Sequence, residues 1–119
     1  MNEEQVLAKT NRVNMLFDFY EPLLTEKQQT FLKCYFQDDF SLGEIAAEFG
    51  ISRQAVYEHI KRAEQTLDTY ESKLGLLAKF EQRTKLMESL QDALNDMNGI
   101  PDPQRAELQK IVRELQALD

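Results

Sequence analysis

The chain reads as an all-α protein, with a three-helix helix-turn-helix core followed by a long C-terminal helical extension. Three observations predict this. Glu, Gln, Leu, Ala and Lys dominate, with only four glycines and three prolines in 119 residues, a composition that favours helices joined by short connections. Apolar residues recur three and four apart along most of the chain, the spacing of one buried helix face. The stretch Leu42 to Ala63, LGEIAAEFGISRQAVYEHIKRA, reads as a helix, a glycine turn and a second helix.

The elements follow in order. Residues 5–20 (QVLAKTNRVNMLFDFY) predict a first helix with Val6, Val13, Leu16, Phe17 and Tyr20 as its apolar stripe, broken by Pro22. Thr25 and Gln28 form a capping-box pair ahead of EKQQTFLKCYFQ, whose Phe31, Leu32, Tyr35 and Phe36 turn inward. Asp38 and Asp39 make a polar turn. Ser41 and Glu44 supply a second capping box, and Ile45, Ala46 and Phe49 share a buried face. Ala46 is small where two steeply crossing helices approach. Gly50 stands where a left-handed residue must end the helix. Ile51 closes the small core under the turn, Ser52 caps the next helix, and Val56, Ile60 and Ala63 hold that helix down.

Beyond Ser52, Val56, Ile60, Ala63, Leu67, Tyr70, Leu74 and Leu77 alternate steps of four and three. This heptad seam predicts an uninterrupted helix able to make a coiled-coil contact, with a bend at Gly75. Leu86, Leu90, Ala93 and Met97 resume the pattern, and Asn98-Gly99 and Pro101 end it. Asp102 caps a last helix with Pro103 in its first position and Leu108, Ile111, Val112, Leu115 and Leu118 as its stripe. Residues 1–73 therefore form the N-terminal helix plus helix-turn-helix, and residues 74–119 a helical extension for dimerisation or partner binding. Either the final helix folds back on the one before it, or the seam also pairs two chains into a homo-oligomer, most simply a homodimer.

Composition narrows the function. No apolar run reaches the roughly 18 residues of a membrane span, and no leader segment opens the chain. A single cysteine makes no internal disulfide, so a cytoplasmic setting is expected. The formal net charge is −7, and residues 22–73 carry six basic and nine acidic side chains. Non-specific duplex affinity comes from basic groups replacing counterions along the phosphates, so this balance weighs against tight, independent DNA binding.

If the second helix of the motif enters a groove, geometry selects the readers. Opposite Val56, Ile60 and Ala63 lie Gln54, Glu58, Lys61 and Gln65, flanked by Arg53 and Tyr57. Ser52, Arg53, Gln54 and Tyr57 sit at the N-terminal end, which goes deepest. Gln bonds adenine and Arg bonds guanine through paired groups, while Lys61 and Arg62 suit phosphate oxygens. Glu58 repels phosphates unless it meets a cytosine amino group. The alternative is an ordinary solvated face of alternating charge. His59 is expected to be structural, partly buried beside the seam, and Cys34 a small core residue. Tyr20, Phe31, Tyr35, Phe36 and Phe40 read as an aromatic core cluster. No second Cys or His stands at metal-ligand spacing, no glycine-rich phosphate loop occurs, and the carboxylates are scattered. No metal, no cofactor and no enzymatic activity are expected.

The segments LTEKQQTFLKCYF and SLGEIAAEFGISRQAVYEHIKRAEQTL resemble the promoter-reading C-terminal region of bacterial sigma factors. The likeness runs through EIA, FGIS, the valine four residues later and the KRA-x-x-x-L tail. It implies a sigma-region-4-like, winged-helix-like core without a wing. The whole layout, from VNMLFDFYEPLLTEKQ through the helix-turn-helix to the acidic helical tail, resembles the YlxM family over about residues 3–95. That resemblance implies a regulatory or accessory role in the signal recognition particle pathway, with the particle's RNA or its GTPase as partner. The competing reading is a dimeric transcription regulator that reads a short palindromic DNA site through the Ser52–Ala63 helix. A third is a helical interaction module that keeps the fold without the nucleic-acid contact.

Overall fold

The computed structural model describes residues 2–118. Six α-helices occur there: α1 (Glu3–Tyr20), α2 (Glu26–Leu32), α3 (Leu42–Phe49), α4 (Arg53–Leu74), α5 (Leu76–Asp96) and α6 (Asp102–Ala117), with no strand among the described residues. The first helices begin where a side chain satisfies the free N–H groups of the first turn. Thr25 with Gln28 and Ser41 with Glu44 form the expected reciprocal capping boxes, and Ser52 Oγ accepts from the Ala55 N–H at 3.0 Å. Asn2 and Gln5 form a third box that starts α1 two residues before the expected point. Gly50 ends α3 in the left-handed region at φ 67°.

The chain divides into two compact units, Met1–Leu77 and Ala78–Asp119. In the first, α4 packs against α1, α2 and α3 and feeds two apolar clusters. Its N-terminal half gives Val56 and Ile60 to a cluster with Phe31, Ile45 and Ala46. Its C-terminal half gives Ala63 and Leu67 to a cluster with Leu16, Phe17, Tyr20, Leu32 and Leu77. The seam expected to face a second chain is thus consumed, as far as Leu67, by the chain's own helices. Leu74, assigned to the same seam, is 45% exposed.

The long helix beyond Ser52 is not uninterrupted. Gly75 stops α4 outright, at φ 64°, with its N–H on the Glu71 carbonyl at 2.8 Å. A new helix starts at once, and its free N–H groups are met by side chains from elsewhere. The Leu76 N–H donates to Tyr20 Oη at 3.1 Å and the Leu77 N–H to Glu71 Oε1 at 3.0 Å. Tyr20 in turn donates its hydroxyl to Glu71 Oε1 at 2.6 Å. Burial, then the adjoining Glu71 carboxylate, push the Tyr20 phenol above its usual value. Tyr70 donates to the Leu23 carbonyl at 3.1 Å, tying α4 to the segment after α1.

Other departures have local causes. Residues Lys33–Gln37 form a π-helical turn, and Asp39 follows at φ 57°. The wider turn breaks the three-and-four spacing, so Tyr35 and Phe40 face solvent and Phe36 is only half-buried. The five aromatics therefore form no single cluster: Tyr20 and Phe31 belong to different cores. Val6, in the N-terminal part of α1, is exposed. Phe49 lies at the rim of its cluster, 43% exposed, with its ring 5.1 Å from that of Phe31.

In the second unit α5 and α6 form an antiparallel hairpin. Gln91 donates to Gln116 at 3.2 Å, Gln109 to Asn95 at 3.0 Å, and the Arg105 guanidinium bonds the Leu94 and Met97 carbonyls at the end of α5. A cation there suits the negative end of the helix dipole. Leu94 and Val112 are the buried apolar side chains. Leu86, Leu90, Ala93 and Met97, expected to continue the seam, are exposed, as are Leu108, Ile111, Leu115 and Leu118. Asp102 is the first helical residue of α6 rather than its cap, which is Pro101, and Pro103 is the second.

Tyr20→Phe keeps the ring but removes the hydroxyl, leaving the Leu76 N–H and one contact of Glu71 unmet. Such a loss costs about 1–3 kcal/mol, so equilibrium unfolding of the variant should show a lower midpoint and an unfolding free energy reduced by that amount. A midpoint equal to that of the parent would mean the network at the α4–α5 junction carries no stability.

Candidate nucleic-acid interface

The outer face of α4 is defined by what its inner face must do. Val56, Ile60, Ala63 and Leu67 are buried, which turns Gln54, Tyr57, Glu58, Lys61 and Gln65 to solvent. Arg53 and Arg62 lie on opposite flanks of this strip. Ser52, at the head of the helix, is exposed but committed as its cap. Gln54 Nε2 donates to Glu58 Oε1 at 3.4 Å, a loose bond that leaves both groups open to exchange.

One flanking arginine leans on a neighbouring helix, the other on a histidine of its own helix. The Arg53 guanidinium lies over Gly43 of α3, so that a Cβ at that glycine would stand 2.9 Å from Nη2 and 3.0 Å from Nε. On the other flank Arg62 Nη2 donates to His59 Nδ1 at 3.2 Å. His59 stacks on Phe31 of α2, centroids 4.9 Å apart and planes 11° from parallel. His59 is half-buried beside the seam, where it was expected to lie. Burial, then the nearby Lys27 and Arg62 charges, hold its pKa below the ordinary 6.5 against the opposing pull of Glu58. With Nδ1 accepting, the ring proton sits on Nε2.

Two participants escape a linear reading. Gly43 is the space in which Arg53 rests; its signal was a glycine inside an otherwise apolar helical pattern, which needs a reason. Lys27 comes from α2 to a shallow groove lined also by Thr25, Gln28, His59, Arg62 and Thr66. It adds a cation beside Arg62, and no spacing in the sequence links the two. The α3 side differs: Cys34, Phe40, Ile45 and Phe49 line an apolar depression edged by Glu44 and Glu48. Burial and the charges of Asp38 and Glu48 push the Cys34 thiol up, away from the thiolate a nucleophile needs. Among the described residues no group of three or more His, Cys, Asp or Glu side chains is placed to hold a metal ion. No described helix is long and apolar enough to cross a membrane. The α4 strip offers hydrogen-bond donors, acceptors and an aromatic ring for contact.

Residues 7–105 match the family model of helix-turn-helix proteins described as YlxM / p13 like, UPF0122. A UPF0122 protein of Halalkalibacterium halodurans is 58% identical over 90 residues, 76% of this chain and 83% of its own length. One of Listeria innocua is 50% identical over 106 residues, 89% of this chain and 96% of its own. One of Geobacillus kaustophilus is 49% identical over 114 residues, 96% of this chain and all of its own. The family described is one of helix-turn-helix proteins and not of enzymes.

Two outcomes follow from the flanks. His59 is held neutral, so an unfolded chain binds a proton that the folded one refuses. The stability it contributes is complete above pH 6.5 and is lost as pH falls from there through its lowered folded value. His59→Gln should flatten the decline of Tm with acidification in that window; an unchanged decline would locate the titration elsewhere. Gly43→Ala improves helix propensity by up to about 1 kcal/mol and forces the flexible Arg53 head aside. A slightly raised Tm with weakened nucleic-acid binding is expected; unchanged binding would mean that the resting place of Arg53 is immaterial.

Proposed function

The chain belongs to the YlxM / p13-like family of helix-turn-helix proteins, and from that premise we propose a non-enzymatic regulatory or accessory protein that holds nucleic acid on the outer face of α4. The observation that supports this is the strip Arg53, Gln54, Tyr57, Lys61 and Arg62: solvent-facing, on a helix whose other side is sealed, with both arginines at its edges. Ser52 at the helix head adds a hydroxyl that can still donate to a phosphate. The role implied by the YlxM resemblance, in the signal recognition particle pathway of the cytoplasm, fits the charge balance. Residues 1–77 carry eight basic and thirteen acidic side chains, a net of −5. A surface of that sign gains little from phosphates alone. It is better matched to RNA within a particle, where the GTPase supplies further contacts, than to bare duplex. Self-association of the chain is part of this reading, since two copies double a small footprint.

Cross-linking the tagged protein in its native cell and sequencing the DNA and RNA recovered tests the proposal. Enrichment of the particle's RNA without chromosomal peaks is the expected result. Sharp peaks sharing a palindromic motif would replace it with the dimeric transcription regulator reading through Ser52–Ala63. Recovery of neither would leave a helical interaction module. In either nucleic-acid case Arg53→Glu with Lys61→Glu should reduce binding at least about tenfold with helix content intact, the scale of reversing close phosphate contacts. Full binding by that variant would move the contact off α4.

A further inference from the structure

Two depressions of the first unit meet at Phe40. One, of about 460 Å³, is the apolar depression beside α3 with Cys34, Ile45 and Phe49. The other, of about 430 Å³, takes Val6 from α1 and Tyr35 and Phe36 from the π-helical turn. Phe40 and Glu44 border both, which makes them one groove. Val6, Tyr35, Phe40 and Phe49 are all exposed there. The backbone is irregular at the same place. The π-helical turn Lys33–Gln37 presents Tyr35, and Asp39 at φ 57° precedes Phe40, whose N–H donates to the Cys34 carbonyl at 2.9 Å. A π-helical turn and a left-handed aspartate cost stability, and such features concentrate at functional sites. An open apolar groove with a polar rim marks an interaction site.

The rim says what fits. Glu44 and Glu48, one turn apart on α3, border the first depression, and Asp39 borders the second. Among the described residues no Lys or Arg pairs with any of the three; Lys9, the one cation of the lining, is spent on Glu64 at 3.2 Å. Glu44 is fixed by the Ser41 N–H, which donates to it at 3.1 Å and holds its carboxyl below the usual range, so its charge persists. The negative field also reaches Cys34, where the charges of Asp38 and Glu48 add to burial in raising the thiol. Phosphates are repelled by such a rim, and cations are drawn to it. The walls are helical and present no sheet edge, so an occupant must satisfy its own backbone, as a helix does. A second copy has no suitable helix to give: α1 and α5 carry −1, α3 −2, and α2, α4 and α6 zero. We infer that this groove docks an amphipathic, lysine- or arginine-rich helix of another protein, its apolar stripe against Phe40 and Phe49 and its cations over Glu44 and Glu48. The inference goes beyond the α4 reading and does not rest on it.

NMR titration of the isotopically labelled full chain tests it, with a synthetic helix of leucine and lysine about five turns long as the probe. Saturable binding is expected, with shift changes centred on Phe40, Glu44 and Phe49. A peptide of the same composition whose leucines share no face should bind at least about tenfold more weakly. Equal binding by the two would mean that charge alone attracts the probe, and would overturn the groove. Phe40→Ala and Glu48→Lys, both at exposed positions, should each weaken the probe at least about fivefold with helix content intact. Glu88→Lys makes the same change of charge on α5 and should leave the affinity unaltered. Should Phe40→Ala lose helix, Glu48→Lys against Glu88→Lys decides the matter. Groove variants that bind like the parent, shifts centred elsewhere, or no binding by about 100 μM, well above the range of specific pairs, overturn the inference. So would groove shifts that appear on concentrating the chain alone, since the occupant would then be a second copy.

Discussion

One stripe of α4 sets the layout of the first unit. Val56 and Ile60 seal the helix-turn-helix, while Ala63 and Leu67 hold α1. A single rigid helix thereby joins two clusters that would otherwise be small and separate. Burying Val56, Ile60 and Leu67 is worth about 1.5–3 kcal/mol each, and the stripe runs along about three turns. Its rotational phase is fixed by those contacts, and the solvent-facing strip has no freedom of its own. Where Gln54, Tyr57 and Lys61 point follows from where Val56 and Ile60 are buried. The candidate interface is in this sense a by-product of the core.

Much of this was legible in the residues. Caps at Thr25, Ser41 and Ser52 and the left-handed Gly50 are short-range chemistry, decided by neighbours within four positions, and they read directly. The inner face of α4 also read directly, because four buried positions in register leave one solution. What failed depended on partners distant in sequence. Heptad spacing cannot say whether a seam faces another molecule or the chain's own α1. Gly75 looked like a tolerated bend, since nothing nearby announces that Tyr20 and Glu71 will cap the next helix. The rows on α5 and α6 read as a resumed seam and a stripe, but apolar spacing alone does not tell which of two adjacent helix faces the hairpin buries. In the candidate site the polar strip was visible, but the support of Arg53 by Gly43 and the arrival of Lys27 from α2 were not.

Electrostatics divides the labour between surfaces. The first unit is acidic overall; Lys9 and Lys33 are paired with Glu64 and Glu21, while Lys27 and Arg62 share one groove. Such a distribution limits long-range attraction and leaves recognition to close contact. Held arginines suit that regime. A guanidinium already resting on Gly43, or already bonded to His59, gives up less freedom when a ligand arrives.

The junction after Gly75 bears on how the chain can be divided. The first turn of α5 is owned by the first unit: Leu77 is buried in its core, and the backbone at Leu76 and Leu77 satisfies Tyr20 and Glu71. The apparent seam between modules at the glycine is therefore not a place to cut. A fragment ending at Lys73 would expose a hole beside Leu67 and strand a buried phenol, whereas one ending a turn beyond Leu77 would carry its own closure. The helix is shared property, and unfolding of the first unit must melt the start of α5 along with it.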